Sequence, residues 1–110
     1  MATADQLYDE AIGLQQDGKL EEAVSKLEDI LVSNPDFTLA HAALGVFYGK
    51  LGRPDEAVEH AKRVCELDPE DPFSFMAMSL ICQRSGRIAE AEEALGKAME
   101  KQWAAQRVNG

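Results

Sequence analysis

Few residues in this chain have side chains suited to chemistry. His41 and His60 are the two imidazoles, and Cys65 and Cys82 the two thiols. The histidines stand 19 residues apart, with no spacing typical of metal ligands and no His/Cys cluster. Both cysteines lie in largely apolar stretches, where a thiol serves as a small hydrophobe. Two isolated cysteines also make no disulfide framework. The carboxylate run Glu90-Ala91-Glu92-Glu93 has Lys97 four residues beyond Glu93, the pattern of a solvated helix face with i,i+4 pairing. No glycine-rich phosphate loop is present. Nucleophile, base and orienting group do not recur together, so the sequence predicts no enzyme, no metal and no cofactor.

Charge narrows the partners. Eleven basic residues against 20 acidic give a net charge of −9, which repels phosphate backbones and anionic lipid. Nucleic acid and membrane surfaces are therefore excluded as expected partners. No apolar run reaches the roughly 20 residues that span a bilayer. The opening Met1-Ala2-Thr3-Ala4-Asp5 has neither a basic start nor an apolar stretch, and the expected location is cytoplasmic. Hydrophobic residues at 45% and charged residues at 28% are ordinary for a globular domain with one continuous core.

The elements that position these side chains come in threes. Gly18, Gly52 and Gly86 recur every 34 residues, as do Glu22-Ala23, Glu56-Ala57 and Glu90-Ala91, and Pro35 and Pro69 share the spacing. A period of this size marks a stacked repeat array. The units run over residues 4–37, 38–71 and 72–105, each split at its glycine. Leu7, Ala11 and Leu14 share one helical face before the first glycine, and Leu20, Ala23, Val24, Leu27, Ile30 and Leu31 keep the same period after it. Six helices are expected, near 4–17, 20–33, 38–51, 54–67, 72–85 and 88–107. Thr3-Ala4-Asp5-Gln6 has the form of a capping box. Asp71-Pro72 and Arg53-Pro54 put proline at the first helical position. Trp103 stands where the third proline would fall, so the last helix runs on to about residue 107. Residues 108–110 are expected to be a disordered tail of a single domain spanning 4–107.

These residues resemble the tetratricopeptide repeat family, most clearly in Leu44-Gly45-x-x-Tyr48, Gly52, Ala57 and Pro69. The resemblance covers residues 4–105. It implies an all-α solenoid of three helix-turn-helix units with a right-handed superhelix, and a protein-interaction scaffold as function. The family's usual tryptophan or leucine near each unit's start stands here as Leu7, His41 and Phe75, and Glu10 replaces a leucine in the first unit. Ala23, Ala57 and Ala91 match its small close-packing position. The resemblance also places a concave groove on the first helices, with Tyr8, Ile12, Leu39, Val46, Phe73, Met76 and Leu80 as its partner-binding residues. Members that clamp a peptide's terminal carboxylate need Lys, Asn and Arg at positions held here by Tyr8, Ile12, Ala43, Phe73 and Ala77, so that mode is not expected. Lys19, Lys50, Arg53, Arg84 and Arg87 recur at the turns, where they could hold an acidic peptide, although their place at helix C-termini already accounts for them.

The two ends of the array differ. Asp5, Gln6, Asp9, Glu10, Gln15 and Gln16 give the first helix a polar side. From Phe73 to Cys82 only Ser74 and Ser79 are polar, and a helix apolar all round must be covered on every side. The sequence therefore predicts an uncapped C-terminal face of Phe75, Met78, Ile81 and Trp103. A protein or peptide partner, a second copy in a homodimer, or the chain's own tail turning near Lys101 to set Trp103 on the face would cover it. The two functional expectations are an apolar groove taking a helix or peptide segment and self-association through this end.

Overall fold

The computed structural model describes the backbone of residues 2–109 and side chains as far as Arg107. It contains α1 (Ala4–Gln16), α2 (Leu20–Ser33), α3 (Thr38–Lys50), α4 (Pro54–Leu67), α5 (Pro72–Arg84) and α6 (Ile88–Asn109). Each unit is an antiparallel helix pair, α1 with α2, α3 with α4 and α5 with α6. The pairs stack in chain order through α2 against α3 and α4 against α5, giving a right-handed α-solenoid of 44 × 31 × 22 Å. The helices match expectation to within a residue or so except at the end, where α6 continues through residues 108 and 109. Of the expected disordered tail, only Gly110 lies outside the described residues.

One turn is built three times. Gly18, Gly52 and Gly86 have φ of 81°, 74° and 78°, left-handed values that a side chain would strain. The amide after each glycine donates back to the first helix, Lys19 to Leu14 at 2.8 Å, Arg53 to Tyr48 at 2.9 Å and Arg87 to Cys82 at 2.8 Å. Each glycine's own amide donates to the next carbonyl along, on Gln15, Gly49 and Gln83. This pair of bonds is the Schellman closure, which satisfies carbonyls that a helix end leaves free. Starts are capped as the sequence implies. Thr3 and Gln6 exchange a reciprocal capping box, and the Asp71 carboxylate accepts from the Phe73 amide at 3.0 Å.

The core runs the length of the stack through Leu27, Ile30, Leu44 and Val58, all essentially inaccessible. Full burial of each such side chain is worth about 1.5–3 kcal/mol. Units two and three meet closely where Gly45 faces Ile81. A β-carbon on Gly45 would lie 3.0 Å from the Ile81 Cδ1 and 3.4 Å from the Ala57 carbonyl oxygen. The glycine thus lets α5 and α4 crowd α3 from two sides.

This packing corrects the expected end face. Phe75 and Ile81 are each only 9% exposed. Phe75 packs with Cys65 and Ala98, so α4 and α6 enclose it, while Ile81 belongs to the main core and Met78 is half-buried. The helix α6 of the same unit covers α5, and no added helix is needed for those side chains. Trp103 alone of the four stays exposed, at 64%.

Candidate functional site

The apolar positions on the first helices divide into two groups. Tyr8 and Ile12 are half-buried against the core, Tyr8 with its ring 6.2 Å from that of Phe37. Leu39 and Val46 on α3, and Phe73, Met76 and Leu80 on α5, are exposed, Phe73 by 73%. The five lie at helical spacing on two adjacent helices, forming one open apolar face. A cavity of about 530 Å³ lies between the C-terminal halves of α3 and α5. Gly49, Val46, Ala77, Leu80 and Ile81 line it, with Lys50 and Arg84 also at its wall.

The family resemblance already placed Val46 and Leu80 on the groove; that Lys50 and Arg84 join them at one cavity was not legible, because the helix ends explained both cations. A second exposed stripe was missed for a different reason. Ile88, Leu95, Met99 and Trp103 all face solvent along α6. Their spacing of seven, four and four residues is a helical signal, masked by the glutamates between them.

The titratable groups gather away from this face, at the junction of the first two units. His41 is buried on α3, and its Nε2 donates to the Pro35 carbonyl at 2.7 Å, which fixes that nitrogen's proton because a carbonyl only accepts. Its Nδ1 faces the His60 Nδ1 at 3.0 Å, and the His60 Nε2 lies 3.3 Å from the Glu28 carboxylate. Glu28 also accepts from the Tyr48 hydroxyl at 3.1 Å. Burial, with the Glu28 charge second, pushes the Tyr48 phenol up to about 12, so it remains a donor. The Tyr48 ring stacks on His60 and carries the Arg53 guanidinium 4.8 Å above it. The arrangement ties α2, α3 and α4 together and leaves no exposed ring nitrogen paired with a nucleophile.

Both thiols are buried. Burial pushes Cys65 up to about 11 and raises Cys82, leaving them protonated and weakly nucleophilic at neutral pH. The Cys65 Sγ–H points to the Ser74 carbonyl at 3.4 Å. Among the described residues no group of three or more metal-binding side chains converges, and no helix is long and apolar enough to cross a membrane.

Comparison with known proteins settles the family. The tetratricopeptide repeat profile matches residues 8–72, more than half of the chain. The chain belongs to the tetratricopeptide repeat family. Among curated proteins, this repeat protein is 33% identical over 90 residues to human tetratricopeptide repeat protein 13. It is 30% identical over 86 residues to the Arabidopsis thaliana protein CTR9 homolog. It spans only 10% and 8% of those proteins' lengths. Among solved structures, MamA superposes with a TM-score of 0.85 at 21% identity, covering 96% of this chain and 61% of that one. The Yersinia enterocolitica type III secretion translocator chaperone SycD gives 0.80 at 26%, covering 90% and 74%. The second repeat domain of Spaghetti (RPAP3), solved with an HSP90 peptide, gives 0.77 at 20%, covering 87% and 89%.

Proposed function

We propose that this repeat protein is a non-catalytic scaffold that seats an apolar helix or peptide segment along the open face of α3 and α5. The observation that carries the reading is the exposure of Leu39, Val46, Phe73, Met76 and Leu80 on α3 and α5, with Val46 and Leu80 lining the 530 Å³ cavity. An apolar face of this kind, with a pocket to take an anchoring side chain, suits an amphipathic helix. The RPAP3 repeat domain bound to a peptide is precedent for ligand capture on this architecture. The acidic net charge favours a protein ligand over nucleic acid or anionic membrane.

Backbone amide shifts of the labelled protein, titrated with a 14-residue amphipathic helix of Leu, Ala and Gln, test the proposal. Perturbations should concentrate on α3 and α5 and vanish in Phe73→Glu/Leu80→Glu, whose side chains are exposed and whose fold should persist. Shifts gathered on the far side, around Val32 and Glu59, would refute it.

The α6 stripe supports a second reading, self-association through the outer face of the last helix. It replaces the end face of Phe75, Met78 and Ile81 with Ile88, Leu95, Met99 and Trp103, four side chains exposed on one surface.

A further inference from the structure

We infer that the segment taken by the groove is acidic as well as apolar, with an apolar side chain in the α3–α5 cavity and carboxylates between Lys50 and Arg84. The inference rests on the groove as a protein-binding face and adds the chemistry of its ligand.

The turns of the three units carry five cations, and the structure separates them. Arg53 is held by Glu56 through two bonds of 2.6 and 2.7 Å and stacks on Tyr48. Arg87 is held by Asp55 and Glu90. Lys19 lies at the turn of the first unit, away from the cavity lining. Lys50 and Arg84 make no ion pair among the described residues, and both line the cavity. They occupy the same position in consecutive units, where the first unit has Gln16. A cation at a helix C-terminus is favourable on its own. That effect does not explain why the lining of this one cavity holds two cations and no carboxylate, in a chain where acids outnumber bases 20 to 11.

Gly49 is the second observation. It lies inside α3, where glycine is a poor helix former, and a β-carbon there would meet nothing within 4 Å. No close approach within the chain requires it. Its missing side chain leaves the cavity open between Val46 and Lys50. An apolar side chain entering that space brings the next turn of its own helix over the two cations, and acidic residues there complete the contact.

Three forms of one acetylated 14-residue helix, built from Leu and Ala with Glu, Gln or Lys at the polar positions, provide the test. Their affinities are measured by fluorescence anisotropy. The Glu form is expected to bind roughly tenfold tighter than the Gln form, and the Lys form weakest. The net charge of −9 alone predicts the reverse order, so the ranking discriminates. Lys50→Glu/Arg84→Glu should invert the order. Gly49→Leu should weaken all three forms without lowering the melting temperature. Equal binding of the three, unaltered by the charge reversal, would overturn the acidic ligand and leave the groove standing. Tightest binding by the Lys form would overturn it as well. If none of the three binds the wild-type chain, the groove itself fails and the acidic ligand with it.

Discussion

His41 and His60 meet Nδ1 to Nδ1 at 3.0 Å, with the Pro35 carbonyl beyond one ring and the Glu28 carboxylate beyond the other. One proton on each ring completes the two short contacts: His41 Nε2–H donates to Pro35, and His60 Nδ1–H donates to the bare Nδ1 of His41. The longer 3.3 Å contact to Glu28 is left for a third proton. Burial holds His60 below its ordinary value of 6.5, against the opposing pull of Glu28, while the His41 charge acts with burial. Glu56 on α4 also faces the ring.

The pH dependence follows from that direction. Below 6.5 the unfolded chain protonates His60 while the folded chain does not, so stability falls as pH drops from 6.5 toward the lowered folded value. The slope from this group is at most about 1.4 kcal/mol per pH unit. Above 6.5 both states are neutral and the dependence disappears. Urea midpoints between pH 8 and pH 5 should show the decline, and His60→Gln should flatten it. An equal slope in that variant would place the titration elsewhere.

The helix pairs were legible because their signals are local. The glycines at Gly18, Gly52 and Gly86 and the prolines at Pro54 and Pro72 act within a turn of the chain, and the 34-residue register repeats them three times. Phe73, Met76 and Leu80, which the family resemblance placed on the groove, are exposed. The burial of Phe75 and Ile81 was misjudged for a physical reason. Their cover comes from α6 on one side and from α3 and α4 on the other, and how fully a neighbour wraps a helix depends on interhelical packing that periodicity does not encode. The His41–His60 contact joins two helices across 19 residues and has no sequence signal.

Helix packing at the second unit gives a paired prediction. Ala57 is fully buried on α4 beside the Gly45 contact, so Ala57→Leu should destabilise by about 1–3 kcal/mol through overpacking. Gly13 sits inside α1, where an added β-carbon would meet nothing within 4 Å, and Gly13→Ala should stabilise by up to ~1 kcal/mol. Thermal melts of the two variants should move in opposite directions. A melt of Ala57→Leu at or above wild type would mean the register of α4 against α3 is wrong.

The thiols give a reactivity prediction. With Cys65 pushed from 9.0 to about 11, its thiolate fraction at neutral pH falls roughly a hundredfold, and burial blocks approach as well. Iodoacetamide at pH 7.5 should modify the folded chain far more slowly than the urea-unfolded chain, at both cysteines. Rapid modification of either in the folded state would show that α4 or α5 opens readily.

The last prediction concerns α6. Leu95, Met99 and Trp103 follow one another at four-residue steps, and Ile88 lies two turns before Leu95 on the same side. Glu92 flanks the N-terminal part of this stripe and Arg107 its far end. A second copy laid antiparallel about Met99 would set leucine against tryptophan at each end. It would also bring Glu92 of each copy near the partner copy's Arg107, so apolar and charged groups favour the same pairing. Light scattering after size exclusion should then give twice the 12.1 kDa chain mass, falling to the single mass on dilution if the contact is weak. Met99→Glu/Trp103→Glu should yield a monomer with an unchanged melt, because both side chains are exposed in the single chain. A wild-type mass of 12.1 kDa at millimolar concentration would eliminate this surface as a self-contact, leaving the α3–α5 groove as the one interaction face argued from side-chain exposure.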